Sequence, residues 1–197
     1  MKSRPRPHHR SHLRSWIWLL LAFLALDVGM TRWWWVQRRE HQAEVHILGA
    51  ARRYGVDPAL VKAVVWRESR FQAEARGAAG ELGLMQVGSL AAREWAAAEN
   101  LATSVRPDLL DPRVNTLAGT WYLAKLLRRY VATDRPEAYA LADYNAGRAN
   151  VRRWLGGPAA TNSTAFLAAM DFPTTRDYIH DTLDRRDRYR AQGFNRE

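Results

Sequence analysis

The feature that most limits what this chain can become is an apolar run over residues 16–36, interrupted only by Asp27 and Arg32. It is long enough to cross a membrane as a helix, because about 20 helical residues span the hydrocarbon core. Lys2, Arg4, Arg6, Arg10 and Arg14 precede it, and tryptophans stand at both ends, at Trp16 and Trp18 and again at Trp33, Trp34 and Trp35. Basic flanks stay on the cytoplasmic side of a span, and aromatic rings collect at its two interfaces. The pattern therefore predicts a basic cytoplasmic leader over residues 1–15, a signal-anchor over 16–36, and one domain over 37–197 on the far side of the membrane. A cleaved signal peptide ending near Leu26 is the alternative, but no small-x-small cleavage site follows that residue.

The charge balance fits this division. Residues 1–39 hold seven of the chain's ten net positive charges, which leaves the rest near neutrality. A sequence pI near 10.6 thus reflects membrane orientation, and nucleic acid is not expected as a partner. With no cysteine, disulfides, thiol catalysis and attachment through a lipidated cysteine are excluded.

From Glu40 onward the sequence predicts an all-α domain. Short helical patterns are separated by Gly, Pro and Asp signals, and no alternating apolar and polar run is long enough for a sheet. Expected helices cover residues 40–54, 88–99, 112–131, 136–145, 148–155 and 174–189, with a loop over 156–164. Another begins at Asp57-Pro58, where a capping side chain is followed by proline at the first helical position; Asp111-Pro112 repeats the signal.

On the helix opened by Asp57, residues Leu60, Val64 and Glu68 recur every four positions. A carboxylate thus falls on the stripe that should face the core. In apolar surroundings its pKa rises, so it can hold a proton near neutrality and donate it as a general acid. Taken alone, this stretch is better explained by a helix-end Glu turned toward water, since charged residues at helix ends are common and usually solvated.

A series of short segments is more specific. Ala63-Val64-Val65-Trp66-Arg67-Glu68-Ser69 is succeeded by Gly83-Leu84-Met85-Gln86, Asp111-Pro112-Arg113-Val114-Asn115, Gly119-Thr120-Trp121-Tyr122-Leu123, Tyr144-Asn145-Ala146-Gly147 and Phe172-Pro173-Thr174-Thr175-Arg176-Asp177-Tyr178. In their order and approximate spacing these segments resemble the catalytic domain of the family 1 lytic transglycosylases, from about Ala50 to Arg190. The resemblance implies a lysozyme-like multi-helix fold, similar to goose-type lysozyme, and peptidoglycan glycan strands as substrate. Neither metal nor cofactor is implied. It also implies cleavage of the β-1,4 bond between N-acetylmuramic acid and N-acetylglucosamine, and with the signal-anchor read from residues 16–36 the expected placement is a periplasmic domain on a single-pass inner-membrane anchor. Glu68 is implied as the sole acid and base, Met85 and Gln86 as lining the sugar groove, Tyr144 and Asn145 as standing beside the carboxylate, and Ser69 and Tyr178 as further substrate-binding residues.

Three positions depart from the family pattern. Gly77 stands where many relatives have Ser, Asp143 where Ala is usual, and Thr174 where Glu is usual. Asp143 is expected to be solvated and outward-facing. Were it instead near Glu68, a two-carboxylate muramidase would be the rival reading. A non-catalytic wall-binding scaffold is a second rival, against which the intact Glu68 speaks.

Overall fold

The computed structural model describes residues 9–101 and 107–194. The chain divides into two compact units, one ending at Arg39 and the other beginning at Glu40. Residues 1–8 of the leader lie outside the described part.

Within the first unit, the N-terminal part of helix α1 (His9–Tyr54) leaves Trp16, Trp18, Phe23, Leu26, Met30 and Trp33 broadly exposed. α1 is the one helix among the described residues that is long and apolar enough to cross a membrane. Sequence patterning separates a span at 16–36 from a helix at 40–54, whereas the structure runs one helix through both. No proline stands between residues 36 and 54 to stop it.

The second unit is all-α, as expected. After the C-terminal part of α1 come α2 (Pro58–Ser69), α3 (Ser89–Ala98), α4 (Pro112–Arg129), α5 (Pro136–Ala146), α6 (Arg148–Trp154), a 3-10 turn (Gly157–Ala160), α7 (Ser163–Ala169) and α8 (Pro173–Ala191). Among the described residues no strand forms, and the bridges there are isolated ones, from Leu82 to Arg76 and to Val87.

Both cap signals operate as expected. The Asp57 side chain accepts from Ala59 N at 2.9 Å, and Asp111 accepts from Val114 N at 2.9 Å, each with proline at the first helical position. Asp57 also accepts from Arg190 Nε at 2.8 Å, so the start of α2 is tied to the end of α8. α5 is the central helix, with Ala138, Tyr139, Ala140, Leu141 and Ala142 all fully buried between α4 and α8. α2 presents Leu60, Val61, Val64 and Val65 to the core and packs most extensively on α8. Its buried Lys62 is satisfied by Glu40 at 2.8 Å and Glu44 at 2.7 Å, which fastens α2 to the last part of α1. A buried ammonium is tolerated only when paired in this way.

The loop expected over residues 156–164 is in fact the 3-10 turn and the start of a helix. Asn162 caps α7 by accepting from Ala165 N at 2.9 Å, and Asp134 accepts from Ser163 N at 2.8 Å. Phe166 then stacks on Tyr139 with centroids 4.0 Å apart, which buries the new helix against α5.

Candidate active site

Glu68 sits one residue before the end of α2, half-buried, at the foot of the stripe made by Leu60 and Val64. The chain reverses immediately after it. Arg70 (φ 53) and Phe71 (φ 61) are both left-handed, and Phe71 is 2% exposed. Non-glycine residues adopt this conformation at a cost on the order of 1 kcal/mol each, so tertiary contacts must hold it. Burial of the Phe71 ring supplies one such contact.

The segment from Gln72 to Gly88 then folds back beneath the end of α2. Gly83 N donates to Ala75 O at 2.8 Å, and Leu82 and Val87 exchange backbone bonds of 3.2 and 2.9 Å. Asn115 on α4, fully buried, fixes this loop. Its Oδ1 accepts from Met85 N at 2.8 Å, while Nδ2 donates to Leu82 O at 2.7 Å and Leu109 O at 2.8 Å. Gly83 has φ +77, and a Cβ there would collide with the Asn115 amide and the Leu109 carbonyl, so glycine is required twice over.

Tyr178, on α8 and 2% exposed, donates its hydroxyl to Glu68 Oε1 at 2.6 Å. Tyr144 donates to Met85 O at 2.7 Å, and its ring leans on Tyr122 at 5.7 Å. The resemblance puts Tyr144 beside the carboxylate and leaves Tyr178 to the substrate. Tyr144 lies within reach of the Glu68 charge while its hydroxyl braces the loop, and it is Tyr178 that differs, by orienting the acid.

Two further expectations are corrected. Met85 does not line the groove; it is fully buried, nested against Gly119, where any Cβ would strike it. Ser69 is also buried, with Oγ 2.8 Å from Leu84 O and 3.1 Å from Val65 O, so its proton serves the loop, not a ligand. Gln86 borders the groove with φ 46, but both its amide bonds run inward, to Gly83 O at 2.9 Å and Ala75 O at 3.2 Å. Its carbonyl oxygen is what it can offer outward. Asn145 is exposed, and its Oδ1 accepts from Thr175 Oγ1 at 2.9 Å.

The departures are also placed. A side chain at position 77 would run into the Glu81 carboxylate and approach Gln86 Oε1 to 2.7 Å, so Glu81 fills the space that Gly77 leaves. Thr174 is exposed at the start of α8. Asp143 is not solvated. It is 1% exposed, and its Oδ2 accepts from Arg129 Nη1 at 2.7 Å and from Tyr130 OH at 2.6 Å. The inward turn follows from its place on α5, whose surroundings supply a cation and a hydroxyl.

Burial raises the Glu68 pKa above the ordinary carboxylate value. The Tyr178 hydrogen bond and the Arg67 charge oppose the rise, and the Glu81 charge adds to it. Burial, with the Glu68 charge second, pushes the hydroxyls of Tyr144 and Tyr178 well upward, so both remain protonated donors. The site can therefore hold a proton on one oriented carboxyl group. Among the described residues no three His, Asp or Glu side chains gather as metal ligands would.

A groove of about 370 Å³ has Glu81, Gln86, Tyr122, Lys125, Arg129, Tyr144 and Arg148 among its walls. Glu68 itself does not line it, but Glu81 and Tyr144, both within reach of its charge, do. Sequence reasoning missed Asn115, Glu81, Arg129 and Arg148. Of these, Asn115 alone lies in a segment that carries the resemblance, and none stands near Glu68 in sequence except Glu81.

Fold and site together define an all-α domain in which one half-buried carboxyl group, Glu68, is held by a tyrosine hydroxyl. The family model for the transglycosylase SLT domain matches residues 46–167, and the chain belongs to this family. The membrane-bound lytic murein transglycosylase F of Desulfosudis oleivorans is 36% identical over 106 residues, covering 52% of this chain and 21% of that protein. The membrane-bound lytic murein transglycosylase C of Cronobacter sakazakii is 35% identical over 125 residues, covering 60% of this chain and 34% of that protein. Among solved structures, lytic transglycosylase Slt of Pseudomonas aeruginosa superposes with a TM-score of 0.67 at 25% identity, covering 75% of this chain and 24% of that one. The chain thus spans about a fifth to a third of the length of these relatives.

Proposed function

We propose that this chain cleaves peptidoglycan glycan strands as a lytic transglycosylase, with Glu68 as both acid and base. The observation that carries the reading is the carboxyl of Glu68, half-buried, raised in pKa and oriented by Tyr178 at 2.6 Å. Protonated Glu68 gives its proton to the glycosidic oxygen as the bond from that oxygen to C1 of N-acetylmuramic acid breaks. The substrate's own acetamido group supports the positive charge that develops at C1. Glu68, now ionised, takes the proton of the C6 hydroxyl, and O6 closes on C1. The tethered hydroxyl has the high effective concentration of an intramolecular nucleophile and so outcompetes water.

No water is consumed in this sequence, and that defines the test. Each fragment released from purified sacculi should weigh one water less than its muramidase counterpart and should resist borohydride reduction, as a 1,6-anhydromuramoyl end requires. A muramidase is the second reading, and Glu81 is the observation that favours it. This is a second carboxylate, whose charge reaches Glu68. Reducible, fully hydrated fragments whose formation stops in Glu81→Gln would establish hydrolysis instead. Asp143, sealed against Arg129 and Tyr130, does not serve as that second acid.

The placement proposed is a single-pass anchor in the bacterial inner membrane, over residues 16–36, with the domain in the periplasm. Its support is the exposed apolar part of α1 and the membrane-bound relatives. The chain should sediment with membranes, resist washing with 1 M salt (about the level at which surface charges are screened) and dissolve in detergent. Recovery in the soluble periplasmic fraction with an N-terminus near residue 27 would refute the anchor.

A further inference from the structure

The groove beyond Tyr144 contains a feature that cleavage of a sugar bond does not require. Asp143 is a carboxylate with no side-chain exposure, and burying such a charge costs several kcal/mol unless its partners recover it. Its Oδ2 accepts from Arg129 and Tyr130, while its Oδ1 is buried with no partner. Arg148 joins through the tyrosine. Its Nη1 donates to Tyr130 OH at 2.6 Å and lies 3.8 Å from Asp143 Oδ2. Burial and the bond to Asp143 raise the Tyr130 hydroxyl far above its ordinary value, so it keeps the proton it gives to Asp143 while accepting from Arg148.

A buried ion pair is weak evidence for stability, since removing one such pair in favour of apolar groups is often neutral or better. What this one does is hold two guanidinium groups in a fixed place. Arg129 and Arg148 each turn Nη1 down to the hub, and both line the groove, Arg148 with 46% of its side chain exposed. The single charge of Asp143 balances one of the two arginines. Lys125, on the same wall, is balanced by Glu94 at 2.7 Å. Glu81 also lines this groove and brings its charges level, but it lies within ion-pair distance of neither arginine, so the outer edge of the Arg148 guanidinium remains a planar, preorganised donor. A sugar hydroxyl or acetamido oxygen can take one hydrogen bond from it. A carboxylate takes more, because the guanidinium fork matches its two oxygens.

We propose that Arg148 and Arg129, positioned by Asp143 and Tyr130, form a subsite for a carboxylate carried on the lactyl arm of muramic acid. The carboxylate is either the lactyl group's own or one from the peptide attached to it. The inference rests on the proposed action on peptidoglycan and adds to it a preference among glycans.

The test measures binding, not turnover, with the full chain in detergent and Glu68→Gln present to prevent cleavage. Three ligands of equal length are titrated by calorimetry: chitotetraose, which has no carboxylate; a peptidoglycan tetrasaccharide stripped by amidase, which has only lactyl carboxylates; and the same tetrasaccharide with its peptides. Adding Arg148→Ala should weaken binding of an acidic ligand about 10-fold, the value of one charge-assisted contact, and leave chitotetraose unchanged. Loss confined to the peptide-bearing ligand assigns the carboxylate to the peptide. Loss confined to the stripped ligand, whose lactyl carboxylates amidase has freed from their amide bonds, assigns it to the lactyl group, and loss with both acidic ligands shows that the subsite takes either. Arg148→Lys should fall between, since it keeps the charge and loses the fork. Asp143→Asn should reproduce the selective loss through misplaced arginines; if that variant fails to fold, Arg148→Ala at its exposed site decides alone. Equal effects on all three ligands, or none, would overturn the subsite while leaving the glycan reading intact. Binding of none of the three by Glu68→Gln itself would remove both.

Discussion

Replacing Glu68 with Gln is expected to reduce the release of muropeptides from sacculi by about 100- to 10,000-fold, the usual contribution of a positioned general acid. The amide keeps the shape of the carboxyl and still accepts from Tyr178, but it can neither deliver a proton to the glycosidic oxygen nor take one from the C6 hydroxyl. Activity of the natural chain should also decline as pH rises through the raised pKa of Glu68, since the ionised form has no proton to give. The same shift has a consequence for stability. The folded state holds the Glu68 proton more tightly than the unfolded chain does, so between the unfolded and folded pKa values folding stability falls as pH rises. The amide introduced by Glu68→Gln has nothing to ionise, and the variant should melt at or above the natural chain's temperature near neutrality. Full glycan cleavage by Glu68→Gln, with its fold intact by circular dichroism, would end the assignment of the acid.

What the sequence discloses and what it conceals divide along a physical line. Features written in adjacent residues are legible: the caps at Asp57-Pro58 and Asp111-Pro112, the apolar stretch before Val36, and the four-residue stripe that carries Glu68 toward the core. Features that depend on where distant segments meet are not. Tyr178 and Tyr144 are both tyrosines of the family pattern, and only the packing of α8 on α2 decides that Tyr178 is the one to reach Glu68, 110 residues away. Met85 and Gln86 are neighbours, yet one is core and the other borders the groove, because a left-handed φ at Gln86 turns the chain between them. Asp143 has no local partner in α5. Its burial is intelligible only once Arg129 at the end of α4 and Tyr130 just beyond it are known to lie alongside. α7 is hidden for another reason: a seven-residue helix has little periodicity to show, and its capping bond from Asn162 is its one local sign.

Asn115 tests the same division through stability, and its replacement by Ala is expected to be the most destabilising single change near the site. The side chain touches nothing that reacts, but it satisfies three backbone groups of a segment with almost no regular structure of its own. Its removal leaves Met85 N–H and the carbonyls of Leu82 and Leu109 without that partner in a buried space, where each unmet group costs about 1–3 kcal/mol. Partial relaxation brings the expected total to about 3 kcal/mol, and for a domain of this size that lowers the melting temperature by roughly 6–12 °C. Asn115→Asp should do no better despite its shape, because it exchanges two donated bonds for a buried charge facing two carbonyls. Function should fall with stability, since Met85 O is the acceptor that holds Tyr144 and Gln86 follows it in the chain. Urea unfolding of the detergent-solubilised chain, followed by tryptophan fluorescence, gives the difference directly. A loss under about 0.5 kcal/mol, the range of ordinary surface substitutions, would mean that the loop holds itself in place and that Asn115 is not its anchor.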